Sequence, residues 1–546
     1  MKILHLGVTL IIVLFSCKTQ DIVEPEQFFF RTVAVNGSQP AGFNVNNLNL
    51  LPKVDISFSA PLNKESAQTN ITLQEKNSSV KVPLNLSFSN LDSSVSISPQ
   101  QPLKSITQYD LTVNPELVSK NKTLLNTTIK VGMTTQVDTT DKFPRISDDE
   151  LLTLVQRQTF KYFWDFGHPV SGLARERNTS GDIVTSGGSG FGVMTIPVAI
   201  ERGFITRKEG LDRMLKITGF LKNTAKSYHG VFPHWLNGAT GATVPFSAND
   251  NGADLVETAY LIQGLLTVRQ YFTLGNVEET RLRKEINELW EAVEWDWFTK
   301  GGEKVLYWHW SPTVEWKMNH QIRGWNECLI TYFLAAASPT HPISKEVYDN
   351  GWADNGKMKN GRTYYGTVLP LGFDYGGPLF FSHYSFLGLD PRNLKDKYAN
   401  YWEQNVAHTK VNYGYCVANP KKFNGYGPNC WGLTASDTNT GYAAHSPTED
   451  LGVISPTAAL SAMPYTPNES MAALRFFYYK LGDKIWKNYG FADAFNLTNI
   501  WIADSFLAID QGPIICMIEN HRTGLLWNLF MSSPEAKNGK TKLGFE

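Results

Sequence analysis

The chain has 546 residues, enough for three to four domains at about 150 residues each. Hydrophobic residues make up 42% and charged residues 18%, a globular composition that excludes a disordered or low-complexity chain. The formal net charge is −1. Nucleic-acid binding proteins usually carry a basic excess, so the sequence predicts no nucleic-acid partner.

The amino terminus predicts a secretory signal with a lipid attachment site. A charged residue precedes an apolar run ending at Phe15, which is too short for a stop-transfer helix. The following Cys17 completes a segment that resembles a bacterial lipobox, which implies cleavage before Cys17 and a diacylglycerol on its sulfur. We expect a lipoprotein signal peptide at 1–17 and a tether at 18–25. An ordinary signal peptide that contains a cysteine is the alternative.

Such an anchor would place the protein in the cell envelope, on the periplasmic or surface face of an outer membrane. No other segment is long and apolar enough to span a bilayer, so the lipid would be its only membrane contact. The remaining cysteines, at 328, 416, 430 and 516, lack the CxxC spacing of a zinc site. Cys416 and Cys430 could pair, and buried free thiols are the other interpretation.

The composition changes near residue 140. Residues 21–140 contain no tryptophan and three glycines, whereas all 15 tryptophans lie from Trp164 onward. This shift predicts a domain boundary near 138–144, and we assign one domain to 26–138 and a second to 146–546.

The first domain alternates between apolar and polar residues with a period of two, the pattern of strands with one buried face. Such strands at intervals of about ten residues favour an antiparallel β-sandwich. The segments 58–62, 102–103 and 109–113 resemble the bacterial Ig-like domains of surface glycosidases, which implies a spacer. Carbohydrate binding is the alternative, although no tryptophan is present to stack on a sugar. The predicted strands are 54–58, 71–73, 95–98 and 109–113.

The second domain is predicted to be helical. Ser147 and the three acidic residues after it are typical of a capped helix start, and apolar residues recur at helical spacing to Phe163. Two helices repeated about six times fit an all-α (α/α)6 toroid, in which loops surround a cleft. The long connections at 228–252 and 412–449 are expected to carry function. Further helices are predicted at 192–202, 206–226, 253–273, 278–298, 319–336, 392–408, 467–481 and 499–510, with shorter ones at 379–388, 452–462 and 513–523.

The loops place aromatic residues beside carboxylates and histidines. Flat sugar faces stack on such rings, and the polar groups bind hydroxyls, although many of these aromatics could equally be packing residues. Nucleotide-binding and α/β-hydrolase motifs are absent from the sequence. The candidate substrate-binding residues are Glu176, Arg177 and Asp182 around a predicted loop at 187–190, with His234, Trp235, Asp254, Trp308, His309, Trp325, Glu327, Tyr375, His383, Tyr384, Trp431 and Glu519.

Glycoside hydrolysis requires two carboxyl groups, one of which is protonated near neutral pH. Asp254 and Glu257 are three residues apart at the start of a predicted helix and therefore share a face. Asp450 follows the long loop and is predicted to begin a helix that faces the cleft. For each carboxyl a helix cap or a buried ion pair is the alternative, above all for Asp254.

Several motifs carry a family resemblance across residues 150–540. They resemble the glucoamylase-like family of bacterial glycoside hydrolases, which contains the endo-β-1,2-glucanases of glycoside hydrolase family 144. The resemblance implies an (α/α)6 barrel and glucan hydrolysis without a metal or cofactor. It also implies Glu257 as general acid and Asp450 as general base. The matching motifs are Gly190-Phe191-Gly192, 200–206, 256–259, 270–272, Trp295-Asp296-Trp297, 376–380, 383–385, 510–513 and 517–520.

The chain departs from the family pattern at 450–452, where Asp-Leu-Gly replaces an Asp-Gly pair, and at 174–177. We expect a monomeric glycoside hydrolase that cuts a β-linked glucan, β-1,2-glucan or its oligosaccharides, by inversion. The alternatives are a glucoamylase-type α-glucan hydrolase, a polysaccharide lyase that uses histidine and tyrosine, and a non-catalytic glycan-binding surface lipoprotein.

Overall fold

The computed structural model of the protein describes residues 27–546, which divide into two compact units after Thr135. The predicted signal peptide, tether and Cys17 lie outside the described residues. Within 27–546, no helix combines the length and apolar character needed to cross a bilayer.

The first unit contains two β-sheets. Their strand orders are β1-β3-β7-β6 and β2-β9-β8-β4-β5, and only the β2–β9 pair of these described strands is parallel. The elements are β1 (Phe30–Val35), β2 (Asn44–Leu48), β3 (Val54–Phe58), α1 (Lys64–Asn70), β4 (Ile71–Glu75), β5 (Lys81–Val82), β6 (Leu84–Ser89), β7 (Ser94–Pro99), β8 (Gln108–Val113) and β9 (Ile129–Thr135).

Alternating burial explains these sheets. Strand β3 buries every second residue, and its register pairs Val54 with Ile97 of β7, so that both apolar faces contribute to one core. Because a strand exposes successive side chains on opposite faces, the intervening polar residues stay outside that core. The four strands predicted from the alternation are confirmed.

The second unit is helical with short hairpins between the helices. Its helices are α2 (Asp148–Trp164), α3 (Ser186–Glu201), α4 (Arg207–Asn223), α5 (Leu255–Tyr271), α6 (Val277–Glu291), α7 (Leu329–Ala337), α8 (Lys345–Asn350), α9 (Tyr401–Ala418), α10 (Pro456–Leu460), α11 (Pro467–Tyr479), α12 (Gly482–Ile485), α13 (Ala508–Arg522), α14 (Leu525–Ser532) and α15 (Pro534–Leu543). The 3-10 helices are Trp295–Thr299, Asp354–Gly356, Asp374–Gly376, Leu379–Ser382 and Tyr384–Phe386.

The strands of this unit are two to four residues long. β10, β11 and β12 form a three-stranded sheet, and the others pair in twos. They are β10 (Ile183–Thr185), β11 (Trp235–Asn237), β12 (Thr243–Val244), β13 (Ala253–Asp254), β14 (His309–Trp310), β15 (Thr363–Tyr364), β16 (Thr367–Val368), β17 (Ala435–Thr438), β18 (Gly441–Ala444), β19 (Trp486–Lys487), β20 (Gly490–Phe491), β21 (Phe495–Asn496) and β22 (Trp501–Ile502).

The helices are of two kinds. Nearly all residues of α3, α5 and α13 are buried, and α3 packs against both of the others. By contrast, α2, α4 and α6 bury one apolar face and expose the other, as helices on the outside of a domain do. The inner helices therefore lie in a layer that is enclosed by amphipathic ones.

Several predicted helices are confirmed, including those at 206–226, 253–273 and 467–481. The prediction at 319–336 is wrong in its first half, because the helix begins at Leu329. The prediction at 499–510 is also wrong, since that stretch holds β22 and a loop before α13 begins.

The helix predicted at 392–408 is displaced along the chain. The Asn400 side chain accepts hydrogen bonds from the backbone N–H groups of Trp402 and Glu403, and this cap fixes the start of α9 at Tyr401. Before it, the Asp396 carboxylate accepts from two backbone N–H groups and holds a turn. The spacing of apolar residues, on which the prediction rested, carries no information about either set of hydrogen bonds.

The glycine run at 187–190 is not a loop, as predicted, but the first turn of α3. A Cβ atom at Gly187 would collide with the Glu257 carboxylate, and one at Gly190 would collide with the Tyr260 carbonyl on α5. Gly264 of α5 meets the Gly190 carbonyl in the same way. These glycines therefore allow α3 and α5 to cross at short distance, and none of them forms a turn.

This crossing gives a stability prediction. Gly190→Ala should destabilise the protein by about 1–3 kcal/mol because the added methyl group overpacks a backbone contact. Gly219→Ala is the matched control, since a Cβ at this position of α4 meets nothing within 4 Å. It should be neutral or stabilising because alanine favours helix. Thermal unfolding of both variants is the measurement, and equal midpoints would contradict the packing argument.

Candidate active site

A cavity of about 410 Å³ lies beside the start of α5. Its wall is rich in aromatic rings and holds three carboxylate side chains and one arginine. It brings together eight residues that were singled out from the sequence. The lining residues are Glu176, Arg177, Thr185, His234, Trp235, Phe246, Glu257, Trp308, Glu327, Phe380, Tyr384, Ala435, Tyr442, Ala444, Leu507 and Ile509.

A second cavity of about 750 Å³ shares Phe380 and Ala444 with the first. Its wall includes the exposed ring of Phe373 and the polar side chains of Lys359 and Glu449. Because the two share wall residues, they adjoin, and together they are called the trough.

Glu257 is the third residue of α5 and is buried. Its Oε2 atom accepts hydrogen bonds from the backbone N–H of Gly187 at 2.9 Å and from the Thr185 hydroxyl at 3.3 Å. These donors are at the amino terminus of α3, which favours a negative charge. Burial outweighs them and raises the pKa of Glu257, with Asp254 contributing in the same direction.

Asp254 caps the helix that carries Glu257. Its Oδ1 atom accepts from the backbone N–H groups of Val256 and Glu257 at 3.1 and 2.9 Å, and from the indole N–H of Trp308 at 2.9 Å. Its Oδ2 atom lies 3.0 Å from Nδ1 of His234. The cap that the sequence left as an alternative is therefore present. The same carboxylate also orients His234 in the cavity wall.

Negative neighbours surround the His234 imidazole. Burial alone would lower its pKa, but Glu257, Asp254 and Asp250 together raise it to about 9. A protonated imidazole beside Glu257 stabilises the charged form of that carboxyl, so it opposes the rise in the Glu257 pKa.

Asp250 and His309 lie behind this pair. The Nε2 atom of His309 is 3.5 Å from Asp250 and 3.8 Å from Asp254. Burial, together with Asp254, raises the pKa of Asp250 to about 7. His234, Asp250 and Asp254 each offer one ligand atom, and these three atoms lie within 4.8 Å of one another, so this group could hold a cation. A proton between Nδ1 of His234 and the Asp254 carboxylate also accounts for the close approach of these two side chains.

Glu327 contributes another carboxyl to the cavity, although it precedes α7 instead of lying within it. Burial, with smaller contributions from Glu257 and Asp254, raises its pKa to about 7. The charge of Glu257 therefore opposes the ionisation of Glu327 and adds to the effect of burial.

Glu176 and Arg177 also line the cavity. Arg177 donates from Nε to Glu176 at 2.9 Å and from Nη1 to both carboxylate oxygens of Asp437 at 3.1 Å. The Ser505 hydroxyl also donates to Asp437. Since Asp437 belongs to β17, this ion pair fixes the β17–β18 hairpin, which supplies Ala435, Tyr442 and Ala444 to the wall.

A buried acid pair lies beneath that hairpin. Asp493 accepts a hydrogen bond from the backbone N–H of Asp437 at 2.7 Å. Burial raises the pKa of Asp493 to about 7 and raises that of the neighbouring Asp510, which also faces the charge of Asp493. The sequence analysis did not select these two residues, and no local pattern distinguished them from helix caps.

Asp450 does not begin a helix, as was predicted, because α10 starts only at Pro456. Its carboxylate accepts hydrogen bonds from the hydroxyls of Tyr415 at 2.9 Å and Tyr426 at 2.8 Å, and from the backbone N–H of Gly452 at 2.9 Å. Within the described chain it is absent from the walls of both cavities, whereas its neighbour Glu449 lines the larger one.

Other residues chosen from the sequence lie elsewhere. Trp325 and Trp431 are fully buried in the core, where large apolar surfaces are most stable. Glu519 is paired with Arg202 at 2.8 Å inside the helical layer. His383 is buried and stacks on Tyr465.

The remaining two lie nearer the surface. Asp182 is exposed and contacts His168, and Tyr375 packs against Tyr364 beside the larger cavity. The four described cysteines are buried free thiols, so Cys416 and Cys430 are not bridged. Sequence reasoning missed Phe246 and Tyr442 in the cavity wall, although both fall in the two long connections that were expected to carry function.

Carboxyl groups and aromatic rings that line one cavity on a helical scaffold fit the class of sugar-cleaving enzymes. A family model described as "Putative glucoamylase" matches residues 319–534, and a bacterial Ig-like domain model matches residues 31–141. The chain belongs to the glucoamylase-like family of bacterial glycoside hydrolases, and the resemblance found in its motifs is confirmed.

Two solved structures are close in sequence and fold. One is a "putative glucoamylase" of Bacteroides uniformis, 60% identical with a TM-score of 0.73, covering 74% of this chain and 99% of that chain. The other is an endo-β-1,2-glucanase of Chitinophaga pinensis in complex with sophorotriose and glucose. It is 54% identical with a TM-score of 0.72, and again 74% of this chain and 99% of that chain are covered.

A curated relative is the exo-β-1,2-glucooligosaccharide sophorohydrolase (non-reducing end) of Parabacteroides distasonis. It is 49% identical over 421 residues, which is 73% of this chain. The match spans 58% of the length of that relative.

The charge network predicts a pH effect. A general acid must be protonated, so activity falls as the pH rises through its pKa. His234→Asn removes a positive charge that lowers the Glu257 pKa. The high-pH limb of the kcat profile should therefore move to higher pH. His521→Asn, on the exposed end of α13, is the control and should leave the limb in place. A limb that stays fixed or moves downward in His234→Asn would refute the coupling.

Proposed function

We propose that this protein hydrolyses β-1,2-linked glucan or its oligosaccharides. The main support is the environment of Glu257, whose carboxyl is buried, has a raised pKa and lies in the wall of a cavity lined by aromatic rings. The substrates named for the Chitinophaga and Parabacteroides relatives support the β-1,2 linkage.

Glu257 is the proposed general acid. It would donate its proton to the glycosidic oxygen as the bond between that oxygen and the anomeric carbon breaks, so that the oxygen leaves as a neutral hydroxyl. The Gly187 N–H and Thr185 hydroxyl then hold the resulting carboxylate, because both donors are already aimed at its Oε2 atom. The rings of Trp235, Trp308 and Tyr384 would stack on the sugars.

Asp450 is the proposed general base. The hydroxyls of Tyr415 and Tyr426 and the Gly452 N–H all donate to it, and these three hydrogen bonds fix the orientation of its carboxylate. Inversion requires about 6.5–9.5 Å between the two carboxyls, so that a water molecule fits between them. In this displacement a water molecule attacks the anomeric carbon and gives a proton to the base. Because Asp450 lies outside the described cavity walls, that proton would reach it through an intervening hydroxyl or a second water molecule. Glu327, which does line the cavity, is the competing base.

We propose that the helices of the second unit form an (α/α)6 toroid. The fully buried α3, α5 and α13 would belong to the inner ring, and the amphipathic α2, α4 and α6 to the outer ring. The trough would then open at one end of the inner ring. We retain 26–138 as the Ig-like spacer and 146–546 as the catalytic domain.

The cavity disfavours a polysaccharide lyase. Such an enzyme neutralises a uronate carboxylate, but this wall holds three glutamates against one arginine that already pairs with two carboxylates. His234 and His309 are likewise held against Asp250 and Asp254. A substrate carboxylate would meet like charge.

Carboxyl variants test the catalytic assignment. Glu257→Gln should lower kcat on β-1,2-glucan by about 100-fold or more, because the amide cannot donate a proton as an acid. Asp450→Asn should cause a loss of similar size. Glu327→Gln is the matched comparison at the same cavity. Product profiles on β-1,2-glucan, laminarin, starch and cellulose by chromatography report both linkage and rate.

The outcomes separate the alternatives. Hydrolysis of starch alone would refute the β-linkage, and unsaturated, ultraviolet-absorbing products would indicate a lyase. Full activity of Asp450→Asn with loss in Glu327→Gln would transfer the base to Glu327. If no glycan were cleaved and both Glu257→Gln and Asp450→Asn bound glycan as the parent does, a binding lipoprotein would be the correct assignment.

We propose that Cys17 carries the lipid that anchors the protein to the cell envelope. Cys17→Ala should shift the protein from the membrane fraction to the soluble fraction of an expressing bacterium, because no diacylglycerol can be attached. Radiolabelled fatty acid incorporated into the parent and absent from the variant is the measurement. The buried Cys328→Ala serves as the cysteine control and should keep the label.

A further inference from the structure

An aromatic cluster lies outside both cavities. Trp297, in the 3-10 helix Trp295–Thr299, is 41% exposed and is the most exposed tryptophan in residues 27–546. Its neighbours Trp295 and Phe298 are fully buried. An exposed indole beside two buried rings does not gain the stabilisation that burial of apolar surface provides, and exposed aromatic surface of this kind often marks a binding site.

The His229 ring holds Trp297 in place. The two rings are stacked with centroids 3.9 Å apart and planes 14° apart. Nδ1 of His229 is 2.8 Å from the Glu294 carboxylate, which fixes the imidazole in turn. His229 covers one face of the indole, and the rings of Trp310 and Trp316 have their centroids 6.4 Å away, yet 41% of the residue remains exposed.

The backbone of His229 has an uncommon conformation. Its φ is +53°, a left-handed value that few residues other than glycine adopt. The next residue, Gly230, has a φ of +71°, and a Cβ there would collide with the Ala292 backbone. His229 and Gly230 are the two central residues of a tight hairpin turn, in which Tyr228 and Val231 exchange backbone hydrogen bonds of 2.8 and 2.9 Å, and such a turn requires positive φ at both positions. Here it brings the imidazole against the indole.

Polar groups surround the exposed ring. The Asp296 carboxylate accepts from the backbone N–H of Trp297 at 3.0 Å and lies 3.0 Å from Nδ1 of His341. The side chains of Glu294, Asp296 and His341 are 38%, 55% and 38% exposed. An immobilised ring bordered by carboxylate and imidazole groups is suited to a sugar, whose apolar face stacks while its hydroxyls form hydrogen bonds.

The cluster is on the other side of β14 from the acid network. In this strand His309 faces Asp250 and Asp254, whereas the adjacent Trp310 lies edge-on to His229 at 5.1 Å and 88°. Adjacent residues of a strand point to opposite faces. A sugar on Trp297 would therefore be separate from a sugar in the cavity.

We propose that Trp297, supported by His229, is a second, non-catalytic binding platform for the glucosyl rings of a β-linked glucan. The ligand class rests on the proposed function. A long chain could occupy platform and trough together, and the second contact would then form within one complex at high effective concentration. A disaccharide or trisaccharide is too short to gain from both.

The direct test is binding, without turnover. The full chain carrying Glu257→Gln, in which cleavage is suppressed, and the same protein with Trp297→Ala, Trp297→Phe or Met318→Ala added are run in native gels that contain β-1,2-glucan, laminarin or no polysaccharide. Trp297→Ala should bind β-1,2-glucan about three- to tenfold more weakly, the factor expected for one lost ring contact. Trp297→Phe should retain most of the binding, and Met318→Ala, which removes another exposed apolar side chain, should retain all of it.

Kinetics provide the second readout. Trp297→Ala should raise KM on long β-1,2-glucan by a similar factor, with kcat and the KM for sophorotriose unchanged. Unchanged binding and KM on the long glucan would overturn the platform. Equal losses in Trp297→Ala and Trp297→Phe, accompanied by a lower unfolding temperature, would also overturn it, since the role would be structural. If the parent cleaved no glucan but still bound one through Trp297, the platform would stand and the proposed function would fail.

Discussion

The close crossing of α3 and α5 is the contact on which the site depends. Glycines at 190 and 264 let the two backbones approach, and Gly187 lets the Glu257 carboxylate rest on the amino terminus of α3. A helix amino terminus favours the ionised carboxylate, while burial favours the neutral acid. Glu257 is held between these opposing effects, and that balance suits the general-acid role proposed for it.

The charges around Glu257 form one connected network. Asp254 caps α5, orients His234 and accepts from Trp308, so a helix start, an imidazole and an aromatic wall residue share one carboxylate. Across the cavity, Arg177 joins Glu176 to the β17–β18 hairpin through Asp437. These hydrogen bonds and ion pairs hold the side chains of Asp254, His234 and Arg177 in position before a sugar binds, which lowers the entropy cost of binding.

The scaffold separates tasks between its layers. Inner helices that are buried on all sides provide rigid positions for Glu257 and the glycine crossing, while the loops and hairpins at their ends supply the rings. Sites on such regular elements are held more accurately than sites on loops alone. The exposed Trp297 cluster instead lies on a 3-10 helix and on the tight turn at His229 and Gly230. This is consistent with a binding role, because sugar binding requires less exact positioning of side chains than bond cleavage does.

The sequence by itself determined the two-part organisation, the β-strands of the Ig-like unit, the main helices and the family, because alternation, capping and motif order are local properties. It also selected Glu257, since a glutamate within an apolar helix start needs a special environment. Only the tertiary structure decided that the glycines at 187–190 belong to a helix, that Trp325 and Trp431 are core, and that Asp437, Asp493 and Asp510 come together. Those outcomes depend on contacts between residues far apart along the chain, such as Arg177 and Asp437, which are 260 positions apart, and no local pattern records such contacts.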